Sequence, residues 1–287
     1  MPLQLIPLVS PDAPATAAAP APAPVAGAYA RLTEVFPSLT VTVEPPRHGD
    51  GWVTGAELAA GGGALDAFLA WDEAQILREY GERARPDVVA SFGLHRYAWP
   101  VALLVTVPWF LLRRVPRLPA GAVSFHRDEG RLTAGVTEFA CLPDDPAASA
   151  PGARVVADEE ALRAEVRAAV AGHLEPVLAA FRPRMRRGSR ALWGMVTDDV
   201  TEGLWYLGEL FGEQPRAARE LELLLPGATP PFVGGTAFRE LTGPRGETLQ
   251  TRDRASCCFF YTLRPDDTCL TCPRTCDADR IKRMSAS

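Results

Sequence analysis

Five of the six cysteines in this 287-residue chain lie within one stretch of twenty residues near its C-terminus. Four thiolates gathered by a loop and a tight turn are what Zn²⁺ or an iron–sulfur cluster requires. A disulfide framework would instead spread its cysteines through the fold. The distribution therefore predicts one local metal site. The cysteines of this stretch are Cys257, Cys258, Cys269, Cys272 and Cys276.

The adjacent pair Cys257-Cys258 narrows the choice of metal. Neighbouring side chains in extended backbone point to opposite faces, so two such thiolates do not easily close on one tetrahedral ion. Structural zinc sites normally use two C-x2-4-C elements instead. A [2Fe-2S] cluster, whose irons are separated, accommodates the pair better. Cys272-x3-Cys276 leaves a [4Fe-4S] or another cluster open, and zinc also stays open.

The spacing Cys-Cys-x10-Cys-x2-Cys resembles the signature of the FhuF-type ferric-siderophore reductases. The segment Arg190-Ala191-Leu192-Trp193-Gly194, with Asp198 after it, resembles a helix opening common in these proteins. In that family the four cysteines ligate a [2Fe-2S] cluster. The resemblance implies that Cys257, Cys258, Cys269 and Cys272 are the ligands here. Cys276 departs from the family pattern and is a spare thiol, a resolving cysteine or a substitute ligand.

The resemblance also implies an activity, the one-electron reduction of a ferric siderophore, of the hydroxamate type, with release of Fe²⁺. The electron would pass through the cluster, so no general acid or covalent nucleophile is needed at the iron. Two alternatives have other functions: a non-enzymatic iron–sulfur sensor, and a siderophore-binding or biosynthetic accessory protein. A zinc-stabilised binding protein is a further possibility.

Hydrophobic periodicity predicts an α+β protein: a helix-rich body, a small antiparallel β element and a C-terminal cysteine tail. A β-hairpin is predicted for 121–141, an edge strand within 38–47, and strands or extended loops in 231–263. The predicted helices are 64–80, 86–97, 101–112, one that begins at Asp158, 189–211 and 216–225.

Composition divides the chain into three parts. Residues 1–30 are rich in Pro and Ala and are predicted to be a flexible leader. Residues 31–230 form the helix-rich body, and residues 231–287 form the cluster-binding segment.

Outside the tail, several single residues have side chains that could take part in chemistry, but their positions favour structural roles. His95, His126 and His173 are scattered and are predicted to be structural. Trp193 is a candidate wall of a substrate cup, but its helical spacing favours core packing. Cys141 is predicted to fill an apolar site.

The net charge and the absence of certain motifs limit the classes of partner that we expect. The net charge of −5 argues against nucleic-acid binding. No Gly-rich dinucleotide fingerprint is visible, so the electron should come from a protein donor, either ferredoxin-like or a reductase. The five arginines of residues 182–190 are either a solvated face or a docking patch for that donor or for an anionic chelate.

Location is predicted from the apolar segments. The N-terminus lacks a signal-peptide pattern. Residues 98–112 are too short to span a bilayer and contain Pro100 and Pro108, so no stable membrane insertion is expected. These features predict a cytoplasmic protein.

Overall fold

The computed structural model of the protein describes residues 23–227 and 229–285, which form an α+β fold dominated by helices. The α-helices in this part of the chain are α1 Ala26–Val35, α2 Gly55–Ala60, α3 Gly62–Tyr80, α4 Pro86–Leu112, α5 Glu159–Phe181, α6 Ser189–Leu210, α7 Gln214–Leu224 and α8 Asp277–Met284. The strands are β1 Thr40–Thr42, β2 Trp52–Thr54, β3 Arg114–Pro116, β4 Val123–His126, β5 Arg131–Ala134, β6 Phe139–Cys141, β7 Ala153–Val155, β8 Phe238–Thr242 and β9 Thr248–Arg252.

Helix α4 is the centre of the protein. It is apolar around its whole circumference, which is typical of a helix buried on all sides. It packs against α1, α3, α5 and α6. By length and composition it could cross a membrane, but 78% of its most apolar stretch is buried inside the protein. The interpretation of residues 98–112 as a core segment is therefore confirmed.

The prediction of two helices in this region, 86–97 and 101–112, is wrong. Pro100 and Pro108 both lie inside one continuous helix of 27 residues. An interior proline removes one helical hydrogen bond and costs about 3 kcal/mol. Burial of the apolar side chains around both prolines offsets that penalty, and the local sequence does not reveal this packing.

Two small sheets flank the helical core. In the first, of order β1-β5-β4-β2, the hairpin β4–β5 is antiparallel and β1 adds in parallel at one edge. The edge strand within 38–47 is thus confirmed. The predicted hairpin is shorter than expected, because the chain leaves this sheet after β5. Strand β6 then joins a second sheet of order β3-β6-β7.

The predicted leader, residues 1–30, lies for its greater part outside the described residues. Residues 26–30 begin α1, and Tyr29 is buried and donates a hydrogen bond to the carbonyl oxygen of Leu104 at 2.8 Å. These five residues therefore belong to the body and not to the leader.

Helices α3 and α6 follow their hydrophobic periodicity and are confirmed within about two residues. Helix α5 begins as predicted, because the Asp158 side chain accepts a hydrogen bond from the backbone of Ala161. The tail then forms the antiparallel hairpin β8–β9, two cysteine-bearing loops and α8. Trp205 of α6 packs on Phe238 of β8 and joins the hairpin to the body.

Candidate iron–sulfur site

Two loops between β9 and α8 carry the five clustered cysteines. The first cysteine loop, residues 253–259, carries Cys257 and Cys258; the second, residues 268–276, carries Cys269, Cys272 and Cys276. Cys272 is buried, Cys276 is exposed, and the other three are partly exposed. The site therefore lies at the surface.

Four of the thiols are neighbours. A hydrogen bond with the Cys269 thiol lowers the pKa of Cys258 to about 5, and the same bond raises the pKa of Cys269. Burial raises the pKa of Cys257, which also lies close enough to Cys258 and Cys272 for their charges to act on it. Cys269 and Cys272 interact in the same way.

Cys276 is separate from this group. Its thiol donates to the carboxylate of Asp279 at 3.2 Å on the exposed first turn of α8. Cys257, Cys258, Cys269 and Cys272 stay the predicted ligands, and the role of Cys276 stays open.

Within residues 23–227 and 229–285, no group of three or more His, Cys, Asp or Glu side chains is arranged to hold a single metal ion.

Backbone N–H groups point at the sulfurs. The N–H of Phe259 donates to Cys257 Sγ and that of Arg274 to Cys272 Sγ, both at 3.4 Å. Phe259 has a φ of 68°, an unusual left-handed conformation for a bulky residue. This conformation forms the tight turn after the cysteine pair. Hydrogen bonds to sulfur are among the features that set the potential of iron–sulfur clusters.

Asp198 of α6 holds the first cysteine loop. Its side chain is fully buried and accepts hydrogen bonds from the backbone N–H groups of Ala255 and Ser256, at 2.9 and 2.8 Å. It also accepts one from the Arg252 guanidinium at 2.6 Å. Burial raises the pKa of Asp198, and the charges of Arg252 and Arg254 oppose that effect.

Glu202, one turn later on α6, holds the second cysteine loop. It accepts a hydrogen bond from the Thr271 hydroxyl at 2.6 Å. Burial disfavours its charged form, but the charges of Arg254 and Arg252 outweigh burial and lower the pKa of Glu202. Asp198 and Glu202 therefore attach both loops to one helix face.

The guanidinium of Arg254 lies between these acids and the sulfurs. Its side chain is 7% exposed, and its Nε has no hydrogen-bond partner among the described residues, with Asp198 Oδ2 at 3.6 Å. Its positive charge also favours the thiolates of Cys258 and Cys269. A buried guanidinium whose charge acts on these thiols fits a bound anionic iron–sulfur cluster.

Helix α4 forms another wall of the site. The hydroxyl of Ser91 donates to the carbonyl oxygen of Cys258 at 3.2 Å. One turn further, His95 Nδ1 lies 2.5 Å from Asp199 Oδ1. Burial alone would lower the pKa of His95, but Asp199 outweighs it and raises that pKa.

The tail is also fixed at its other end. Arg280 of α8 is buried and donates to the carbonyl oxygens of Arg252 and Cys272 and to the carboxylate of Asp253. One side chain thus joins β9 to both cysteine loops.

The other candidate residues are structural. Trp193 is buried and packs edge-on against Phe232, which confirms core packing and not a wall of a substrate cup. His173 is buried between Tyr97 and Leu118, and His126 contacts the backbone of Asp50. The buried position predicted for Cys141 is confirmed.

Gly194, part of the helix opening quoted above, has a steric role. A Cβ there would lie 3.3 Å from Ser256 Cβ and 3.4 Å from the carbonyl oxygen of Ala255. The glycine therefore permits the first cysteine loop to lie directly on α6.

Sequence reasoning missed the charged residues around the sulfurs. Asp199 and Glu202 lie on the same helix as Asp198, and all three interrupt its buried face. Buried carboxylates need cations or donors. Two arginines, Arg252 and Arg254, lie within five residues before Cys257, so this signal was available.

The comparison with protein families identifies the cysteine segment. Residues 254–274 match the FhuF 2Fe-2S C-terminal domain. The match contains both predicted cysteine pairs, confirms the resemblance of the tail and identifies the cofactor as a [2Fe-2S] cluster. The comparison with curated proteins returned no match. The chain is thus an iron–sulfur protein with a role connected with siderophore iron.

Replacing single cysteines tests the ligand set. Cys258→Ser should abolish or strongly alter the visible spectrum of anaerobically reconstituted protein, because it removes a thiolate from the group of four. Cys276→Ser should leave the spectrum nearly intact, because its thiol is exposed and bonds to Asp279 on α8. The opposite result would mean that Cys276 is the fourth ligand.

Arg254→Gln should lower the midpoint potential of the cluster, because reduction adds a negative charge that the guanidinium stabilises. We expect the ratio of reduced to oxidised cluster at a fixed potential to fall about tenfold, equivalent to about 59 mV for one electron. A redox titration followed by electron paramagnetic resonance measures this. Arg254→Lys keeps the charge and should stay near wild type. An unchanged potential in fully loaded Arg254→Gln protein would contradict the role of this charge.

Proposed function

Because residues 254–274 form a FhuF-type [2Fe-2S] segment, we propose that the protein reduces a ferric siderophore by one electron and so releases its iron. The observation that carries the proposal is this segment at the protein surface, where Cys257, Cys258 and Cys269 are partly exposed. A chelate too large to enter the core can approach such a site closely.

When bound, a [2Fe-2S] cluster supplies one electron at a time. The substrate Fe³⁺ becomes Fe²⁺, and the protein donor loses the corresponding electron. Hard oxygen ligands hold Fe²⁺ far less tightly than Fe³⁺, so the iron leaves the chelate. No bond to a protein side chain forms, which agrees with the absence of a nucleophile in the proposal.

The residues around the sulfurs keep the site rigid. Asp198 and Glu202 fix the two cysteine loops, and Ser91 fixes the carbonyl of Cys258. A fixed environment reduces the structural rearrangement that accompanies a change in charge. Rigidity of this kind supports electron transfer as the task of the site.

A cavity lined in part by His95, whose charge acts on Cys258, supplies a docking place for the chelate. Its volume is about 250 Å³, and it is lined by Trp71, His95, Arg96 and Trp99 among others. Along α4, His95 lies about 6 Å and Trp99 about 12 Å beyond Ser91, the residue that binds the Cys258 carbonyl. The cavity is smaller than most ligand pockets, so it would take one face of the chelate.

The charges of this cavity support a hydroxamate substrate. Arg96 and Arg127 line it, but both are paired with the buried carboxylate of Asp72. The cavity therefore offers aromatic surface with little free positive charge. Three hydroxamates balance the charge of Fe³⁺, and such a neutral chelate matches this lining.

A larger cavity of about 760 Å³ lies elsewhere, between α5 and the sheet of β3, β6 and β7. Strand β3 follows the C-terminal end of α4, roughly 30 Å along the helix from Ser91. That distance makes it unsuitable for receiving an electron from the cysteine loops.

The proposed setting is the cytoplasm, with a protein as the electron source. The buried position of α4 supports a protein that does not insert into membranes. The absence of a dinucleotide fingerprint from the sequence supports a protein donor.

Iron release tests the proposal. Reduced protein, freed of excess dithionite under anaerobic conditions and mixed with ferrioxamine, should be reoxidised while a ferrous chelator traps one Fe²⁺ per cluster. Protein with the Cys258→Ser substitution is the control and should release none. A loaded cluster that ferrioxamine does not reoxidise would contradict the reductase and favour the sensor alternative.

Trp99→Ala should raise the KM for ferrioxamine about tenfold with kcat nearly unchanged, because it removes contact area equally from substrate and transition state. Steady-state kinetics with an artificial donor measures both constants. Trp52→Ala removes an indole of β2 that does not line this cavity and should have no effect. Equal KM values for the two variants would exclude the cavity as the docking place.

A further inference from the structure

We propose that three exposed arginines beside the cysteine loops form the docking surface for an acidic protein that delivers the electron. This proposal rests on the proposed function and concerns the side of the same site at which the electron enters. The arginine surface consists of Arg182, Arg186 and Arg190.

These three arginines have no internal partner. Residues 182–190 contain five arginines and no acid. Arg184 pairs with Asp66 at 2.5 Å, and Arg187 contacts the first cysteine loop. The remaining three are exposed and make no ion pair or side-chain hydrogen bond among the described residues. Their charge is therefore available to a partner.

The positive charge of Arg190 lies where it does not help the protein to fold. It lies in the first turn of α6, where the helix dipole is positive and an acid is preferred. This turn contains no acidic residue, and its N-cap residue is Gly188, which has no side chain that could cap the helix. By contrast, α5 begins with Asp158 as its cap and Glu159 and Glu160 in its first turn. Arg190 therefore does not stabilise the start of α6, which favours a binding role.

The arginine surface adjoins Cys257. The guanidinium of Arg187, within the same segment, donates to the Ser256 hydroxyl at 3.0 Å and to the carbonyl oxygen of Cys257 at 2.5 Å. It also lies over the Phe259 ring at 3.8 Å. A partner bound to the arginines on either side of Arg187 would therefore lie next to the first cysteine loop.

The chemistry of the surface fits a protein better than a small chelate. The three cations follow a short turn and the start of a helix, and none of them lines either cavity described above. Cations spread over an exposed surface match a complementary acidic protein surface and speed its association. One electron leaves the reduced centre of that donor and enters the cluster; no proton or covalent bond moves.

The two faces of the cysteine loops then have different tasks. The arginine surface lies on the Cys257 side, through Arg187. The aromatic cavity lies on the Cys258 side, through Ser91 and the following turn of α4. Donor and chelate can therefore bind at the same time.

The double variant Arg186→Glu, Arg190→Glu tests the surface, with a small acidic [2Fe-2S] ferredoxin as the probe. Arg187 is left unchanged because it contacts the cysteine loop. In low salt, the Kd for ferredoxin, measured by calorimetry, should rise at least about tenfold, and the rate of cluster reduction in stopped flow should fall similarly. Near physiological salt the difference should shrink, because exposed charges are screened beyond about 8 Å.

The matched control is Arg117→Glu, Arg219→Glu, which makes the same change in net charge at exposed sites outside the cysteine loops. It should bind ferredoxin as the wild type does. The proposal is overturned if the two double variants bind ferredoxin equally at low salt. It is also overturned if the test variant keeps its ferredoxin affinity and loses affinity for an anionic ferric chelate instead.

A separate measurement distinguishes failure of docking from failure of the reductase. Dithionite-reduced test variant should release iron from ferrioxamine at the wild-type rate, because the chelate side is unchanged. Loss of ferredoxin affinity with normal iron release supports the docking surface. Failure of iron release in wild type and variant alike contradicts the proposed function, while the calorimetric comparison still decides the docking surface.

Discussion

Two carboxylates one helical turn apart on α6, the buried Asp198 and the partly buried Glu202, determine where the cysteine loops lie. Asp198 accepts hydrogen bonds from two backbone N–H groups of the first loop, and Glu202 accepts one from the Thr271 hydroxyl of the second. Burying such charges carries a large desolvation penalty unless cations and donors surround them. Arg252 and Arg254 supply the cations, so the arrangement forms only when the tail is docked on α6.

This constraint also explains how the core and the site are connected. Helix α6 packs against the central helix α4, and each contributes side chains to the cysteine loops. A shift of one helix against the other would change the distance between Ser91 and Asp198. The extensive burial of α4 keeps that distance constant, so the apolar core serves the geometry of the sulfurs directly.

Much of the site and of the fold could be predicted from local patterns. The cysteine spacing predicted the cofactor through its resemblance to a known family signature; the spacing alone left a [4Fe-4S] cluster and zinc open. The helical spacing of the apolar residues predicted the bounds of α3 and α6. For the same reason, Trp193 could be assigned to the core.

The sequence predictions failed where packing between residues distant in the chain determines the structure. Pro100 ends a helix by local rules, but burial on all sides keeps α4 continuous. The separation of β6 from the hairpin depends on its pairing with β3 and β7, which are distant in the chain. The contact of Arg254 with Asp198 joins segments more than fifty residues apart, and no local period reports such a pair.

The order of these parts along the chain has a consequence for biosynthesis. Domains form as the ribosome proceeds from the N-terminus, so α4 and α6 emerge before Arg252, Arg254 and the predicted ligands do. Until then, Asp198 and Glu202 lack their arginine partners and stay hydrated on a nascent surface. Iron–sulfur assembly is thus a final maturation event, since the thiols acquire their scaffold only after the core exists.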